Sequence, residues 1–243
     1  KSELYDYGFK EEQILELQSL LDKIIYDTEY YRNKCGIEIG GPSNIFKRVY
    51  EVCKSCDGVN FSEDTVWWRK EKKGYCWKEK ELGQVYIADA TDLLLIEDNK
   101  YDFVLSSNNL EHIANPLKAL EEFCRITKNG GIITIAVPIK EKTFDHNRKD
   151  TLFEHLLEDY KRDTKEDDLT HLPEILQLHD YDMDLPCGGK EAFAKRAEKN
   201  FENRCLHHHV FSEKCLRKMY EYLNLEVIDF LKLGSNYIIR GSK

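Results

Sequence analysis

The 243-residue chain has no apolar run approaching the roughly 18–20 residues needed to span a bilayer, so no membrane insertion is expected and it reads as a soluble protein. It has no excess of basic charge either. The formal net charge of −9 argues against a surface built for duplex nucleic acid, because neutralising phosphates takes clustered Lys and Arg. The densest basic stretch, residues 69–73, is interrupted by Glu71 and reads as a solvated face. Missing too is the close, even cysteine spacing of a small secreted domain: eight cysteines are scattered along a chain long enough not to need staples, which favours a reducing cytoplasm. Cys53-Lys54-Ser55-Cys56 has the spacing of half a zinc site, but no second C-x-x-C follows, so these thiols are expected to be structural and no metal ligand is assigned. Internal repeats are absent. The chain opens Lys1-Ser2-Glu3 with neither methionine nor an apolar leader, which suggests a trimmed start.

What is present suits one α/β domain with an elaboration, since 41% of the residues are apolar and the length falls within the usual domain range. Residues 9–30 carry Ile14, Leu17, Leu20, Leu21, Ile24 and Ile25 at helical spacing, which predicts an amphipathic helix ahead of the first strand. Strands are then predicted at 35–39, 58–61, 85–88, 101–105, 131–137, 225–231 and 237–239, with helices at 116–126 and 212–223 between some of them. Strand–helix alternation implies a mostly parallel sheet covered on both faces. Between Pro138 and Phe211 the pattern gives way to a long charged stretch with helical pieces near 151–160 and 172–178, too long for a structureless loop, so a helical cap over the sheet's carboxyl edge is expected. The resulting division is an N-terminal helical segment at 1–34, a core at 35–139, a cap at 140–206 and a closing helix with strands at 207–243.

Three motifs carry chemistry. Ile37-Glu38-Ile39-Gly40-Gly41 sets an acid before glycines at a strand end, where absent side chains let a ligand approach the backbone. Tyr86-Ile87-Ala88-Asp89-Ala90 puts another acid after a strand, about 50 residues later. The order closes with Tyr101-Asp102-Phe103-Val104-Leu105-Ser106-Ser107-Asn108-Asn109-Leu110-Glu111-His112 and a helix, glycine turn and strand from Ala119 to Val137.

In this order the chain resembles the class I S-adenosylmethionine-dependent methyltransferases of the small-molecule group, over about residues 36–137 and more loosely over 210–240. The resemblance implies a Rossmann-like seven-stranded sheet with helices on both faces, an enzyme, S-adenosylmethionine as cofactor and S-adenosylhomocysteine as product. Carried over, Glu38, Gly40 and Gly41 contact the amino-acid end of the cofactor, Asn60 the ribose hydroxyls, Asp89 with Ala90 the adenine, and Ser107 and Asn108 the neighbourhood of the sulfonium; His112, just beyond that segment, is expected to help position the cofactor. Two departures stand out. Pro42-Ser43 replaces the usual second glycine and stiffens the turn. The ribose acid is Asn60, an amide with one acceptor and no charge, with Asp57 the alternative in another register.

Seven of the eight histidines follow the fifth predicted strand, which leads to the edge where ligands bind in open α/β folds. Asp145-His146 and His179-Asp180 each set an imidazole beside a carboxylate, an arrangement that orients a base or holds a divalent metal. His146 is expected to be the base, supported by Asp145, with His179 its rival; a metal is compatible but not predicted. The polar, histidine-rich cap suits a hydrophilic small molecule, and similar bacterial enzymes that modify polysaccharide components point to a hydroxyl of a saccharide or nucleotide-linked precursor. N-methylation of a small amine or protein side chain, and a non-catalytic cofactor-binding scaffold, are the competing readings. No oligomeric state is assigned.

Overall fold

The structure is a computed structural model that describes residues 10–13, 15, 28–63 and 74–243. The helix expected over 9–30 falls largely outside the described residues, as does the basic stretch at 69–73. The strands are β1 (Cys35–Ile39), β2 (Ser55–Asn60), β3 (Tyr75–Trp77), β4 (Lys80–Gly83), β5 (Val85–Ile87), β6 (Tyr101–Ser107), β7 (Thr127–Pro138), β8 (Glu226–Leu233) and β9 (Asn236–Ser242). Seven of them form one sheet in the order β5-β2-β1-β6-β7-β9-β8, while β3 and β4 pair as a separate hairpin. The run from β5 to β7 is parallel, and β9 runs antiparallel to both its neighbours.

Both faces of the sheet are covered over its central strands, which explains why those strands are largely apolar. Successive residues of β6 point to opposite sides: Val104 joins Ile37, Ile39, Leu117, Leu120, Phe123 and Met219 on one face, while Phe103 and Leu105 join Tyr31, Phe46, Tyr50 and Tyr75 on the other. The first face is covered by helix α2 (Pro116–Ile126) and by the last helix, Glu213–Tyr222. Asn115 caps α2 by accepting the Lys118 amide at 3.2 Å, and Pro116 at the first helical position has no amide to leave unpaired. Each large side chain fully buried here contributes about 1.5–3 kcal/mol. The second face is covered by α1 (Lys47–Val52) and the β3–β4 hairpin.

After β7, in the stretch expected to be a cap, lie the helices α3 (Phe153–Arg162), α4 (Leu172–Leu178), α5 (Lys190–Ala197) and α6 (Asn200–Asn203), followed by α7 (Glu213–Tyr222). Ile175, Cys187, Phe193, Ala197 and Leu206 give the cap a small core of its own. Sequence periodicity missed the hairpin, α1, α5 and α6. The hairpin strands are three and four residues long, too short for alternation to register, and Gly189 at the start of α5 reads as a break when only sequence is in view. Among the described residues no helix is long and apolar enough to cross a membrane.

Candidate functional site

Connections leave β1 towards β2 on one side and return to β6 on the other, so a crevice opens beyond the carboxyl ends of β1 and β6, the usual ligand position in such sheets. A cavity of about 830 Å³ lies there, within the roughly 300–1,000 Å³ of small-molecule sites. Gly40, Gly41, Asn60, Asp89, Ala90, Ser107, Asn108 and His112 all line it, bringing together residues drawn from four strand ends. Gly40 has φ +81°, and a Cβ there would sit 2.7 Å from Asn109 Oδ1. Gly41 has no more room: its Cβ would meet Glu38 Cδ and Tyr75 Oη at 2.2 Å. The first turn therefore presents bare backbone to the cavity. Asn60, 7% exposed at the end of β2, has a buried Nδ2 without a hydrogen-bond partner, a donor suited to a ligand hydroxyl.

Two acids take different places from those expected. Glu38 does not line the cavity. It is fully buried beneath the glycine turn and accepts hydrogen bonds from Ser43 Oγ, the Tyr50 hydroxyl and, at 2.6 Å, the Tyr75 hydroxyl. Burial pushes its carboxyl pKa up against these three donors. Asp57, the alternative to Asn60, also lies off the cavity, accepting the Gln84 amide at 2.9 Å and the Tyr101 hydroxyl at 2.6 Å.

Asp89 lines the cavity but is not idle. Its Oδ1 accepts from Thr91 N–H at 2.9 Å and Thr91 Oγ1 at 2.7 Å, and its Oδ2 accepts from Arg204 Nη2 at 2.9 Å. Burial opposes its charge, yet the Thr91 bonds and Arg204 outweigh burial and hold the pKa below the ordinary carboxylate value. Arg204, which no sequence signal singled out, also pairs with Glu166 at 3.1 Å and so ties the cap across to the end of β5.

The histidines arrange themselves unlike their sequence neighbours. His146 pairs with Asp180 at 2.8 Å on the surface and does not line the cavity. His179 is buried, sandwiched at 4.5 Å between the rings of Phe144 and Phe193 with Nε2 3.1 Å from Asp184, and it too is absent from the cavity wall. Asp145 turns away from His146: it is buried, ion-paired to Arg148 at 3.0 Å, and accepts the Nδ1 proton of His207 at 2.5 Å. His207 lines the cavity and was passed over by the sequence reading.

Beside it stands Glu111, also on the wall, 2% exposed and with neither carboxylate oxygen hydrogen-bonded. Burial raises the Glu111 pKa to about 7, only partly offset by His207. For His207, burial disfavours the charged ring, but Asp145 and Glu111 prevail and its pKa is raised. His112 donates Nδ1–H to the Leu206 carbonyl at 3.1 Å, and burial drives its pKa well below the ordinary value. One ligating atom from each of Glu111, His112 and His207 lies within 4.8 Å of the others, a spacing fit for a shared proton or a cation; His179, Asp184 and Cys187 form a second such group. Cys53 and Cys56 are buried free thiols, and they belong to none of the potential metal groups among the described residues.

Residues 36–135 match a family model described as a methyltransferase domain. The fold is similar to a chain of the complex between the Haloferax volcanii Trm112 methyltransferase activator and its candidate methyltransferase, with 13% identity, 87% of this chain and 82% of that one covered, and a TM-score of 0.52. It is similar also to an S-adenosylmethionine-dependent methyltransferase of Aquifex aeolicus, with 14% identity, coverage of 96% and 98%, and a TM-score of 0.50. No curated protein matches the chain by sequence. With the strand order, the glycine turn and the unpartnered amide of Asn60 at the switch point, the match identifies residues 36–135 as a methyltransferase domain, an enzyme domain whose cofactor is S-adenosylmethionine.

Proposed function

We propose that the chain methylates a hydroxyl of a small polar acceptor, a saccharide or nucleotide-linked precursor, with His207 as general base. The observation that carries this reading is the Asp145–His207 pair on the cavity wall next to the unpartnered carboxylate of Glu111. Bound S-adenosylmethionine supplies an activated methyl on a sulfonium. The chain's own task is to hold the acceptor in line and take its proton. Asp145 fixes the His207 tautomer with hydrogen on Nδ1, so that Nε2 carries the accepting lone pair. Glu111, poised near neutrality, is suited to accept a second hydrogen bond from a polyol or to relay the proton. His146 and His179 are replaced in the base role because neither reaches the cavity.

For the cofactor, the proposed contacts are the backbone of Gly40 and Gly41 with its amino-acid end, Asn60 with the ribose, Asp89 and Ala90 with the adenine, and Ser107, Asn108 and His112 beside the methyl-bearing sulfur. Glu38 acts through the turn it anchors. In this reading 35–139 with 207–243 binds cofactor and 140–206 covers the acceptor. Asp89→Ala should weaken S-adenosylmethionine and S-adenosylhomocysteine alike, by about 1–3 kcal/mol, as expected for a lost buried hydrogen bond. Unchanged affinity by titration calorimetry would remove Asp89 from the adenine site.

A nucleotide-sugar and metabolite screen with isotopically labelled cofactor tests the acceptor class. The expected result is label in a saccharide product whose methyl linkage survives as an ether. Label recovered only in an amine or protein product would overturn the hydroxyl assignment, and label in no product would overturn methylation of a small acceptor.

A further inference from the structure

A second cluster of ligating side chains lies away from the cavity. His155 and Asp159, one turn apart, share a face of α3. His155 Nε2 stands 3.2 Å from Asp159 Oδ2 and 3.0 Å from Nε2 of His171, the residue that leads into α4. His209, from the segment that feeds α7, completes the group, and one nitrogen of each of the three histidines lies within 4.8 Å of the other two. None of the four residues lines the large cavity.

Hydrogen bonding alone leaves this cluster unsatisfied. Asp159 is 5% exposed, yet its Oδ2 makes no hydrogen bond although a nitrogen stands 3.2 Å away. His209 is 2% exposed and its Nδ1 has no partner. A buried carboxylate oxygen without a donor is costly, and two imidazole nitrogens at 3.0 Å repel unless one is protonated towards the other. A cation removes both difficulties at once. Zinc with nitrogen at about 2.0–2.1 Å and carboxylate oxygen at about 2.0–2.2 Å in a tetrahedron sets its ligand atoms roughly 3.3 Å apart, close to the two separations already present.

The surroundings also suit ligation. Ligating groups are held by outer hydrogen bonds. Here Asp159 Oδ1 accepts from Thr164 Oγ1 at 3.2 Å, and His209 Nε2 donates to the Ala114 carbonyl at 3.2 Å.

We infer that His155, His171, His209 and Asp159 form a zinc site that pins the cap to the segment leading into α7. This site is separate from the methyl-transfer cavity, and its test does not depend on the acceptor. Purified full-length protein loaded with zinc and then desalted should retain one equivalent per chain, and its melting temperature should fall on chelation. The cobalt-loaded protein should show the intense visible bands of a four-coordinate ion. His155→Ala with His171→Ala should hold less than a tenth of an equivalent and melt at a temperature indifferent to chelator. Asp159→Asn, which preserves shape, should bind zinc at least about tenfold more weakly and keeps the test informative if the double variant fails to fold. Cys53→Ser should retain the metal. Protein that retains no zinc and gives only the weak spectrum of six-coordinate cobalt overturns the inference, as does undiminished zinc in both the double variant and Asp159→Asn.

Discussion

His207→Ala should lower turnover by about 100- to 10,000-fold, the usual contribution of a positioned general base, while S-adenosylmethionine affinity stays within about twofold. The expectation rests on geometry. His207 is the imidazole on the cavity wall whose far nitrogen is locked by a buried acid, and that acid is itself fixed by Arg148. Burial alone would lift the Asp145 pKa, but His207 and Arg148 bring it down to about 2, so Asp145 stays ionised over any working pH. It thereby raises the His207 pKa, assisted by Glu111 and opposed by burial. A base must be neutral to accept a proton, so turnover should rise with pH through a limb lying above the ordinary histidine value of about 6.5. Asp145→Asn removes the stabilising charge and should move this limb to lower pH while reducing the maximum rate, because the tautomer is no longer enforced. Turnover that is undiminished in His207→Ala would remove the base assignment. A loss confined to cofactor affinity would make His207 a binding residue instead.

That pairing marks the limit of what sequence shows. The central strands were legible because β1, β6 and β7 are buried over most of their length and are therefore largely apolar there, as at Phe103–Leu105 and Ile132–Ile133. Their ends carried the glycines, Asn60, Asp89, Ser107 and Asn108 to one cavity, and a strand end is a place that chain order fixes. Side-chain partnerships across loops are not fixed in this way. Asp145 sits next to His146 in sequence, but folding brings His207, 62 residues away, to its carboxylate. Glu111 adjoins His112 just beyond the segment already read as lining the methyl-bearing sulfur. Its position at the carboxyl edge was the available signal, whereas its lack of a partner appears only after folding. Glu38 shows the reverse error: a polar residue before glycines reads as a ligand contact, and tertiary structure instead buries it under three hydroxyls.

Glu38→Ala should destabilise the fold by about 3 kcal/mol, within the range expected when a buried charged acceptor is removed and its donors are stranded. The three donors do not suffer equally. Tyr50 retains its contacts with the backbone of Ser43, donating to the carbonyl at 3.0 Å and accepting the amide at 2.8 Å, whereas the buried Tyr75 hydroxyl donates to Glu38 and loses that acceptor. For a chain of this length a loss of about 3 kcal/mol lowers the melting temperature by roughly 6–12 °C. Loosening the turn that carries Gly40 and Gly41 should weaken cofactor binding as well. Glu38→Gln keeps one acceptor and should recover part of both losses. It should also change the pH profile. Because burial raises the folded-state pKa of Glu38 above its unfolded value, its stabilising contribution is complete below the unfolded pKa and declines as pH rises through the folded one. Glutamine does not titrate, so the stability gap between wild type and Glu38→Gln should shrink as pH increases from about 4.5, the limb on which the wild type alone loses stability. Thermal unfolding of the three proteins between pH 4.5 and 8 decides the matter: an alanine variant within 0.5 kcal/mol of wild type, by the scale of an ordinary surface change of roughly that size, would mean that the carboxylate does not anchor the turn.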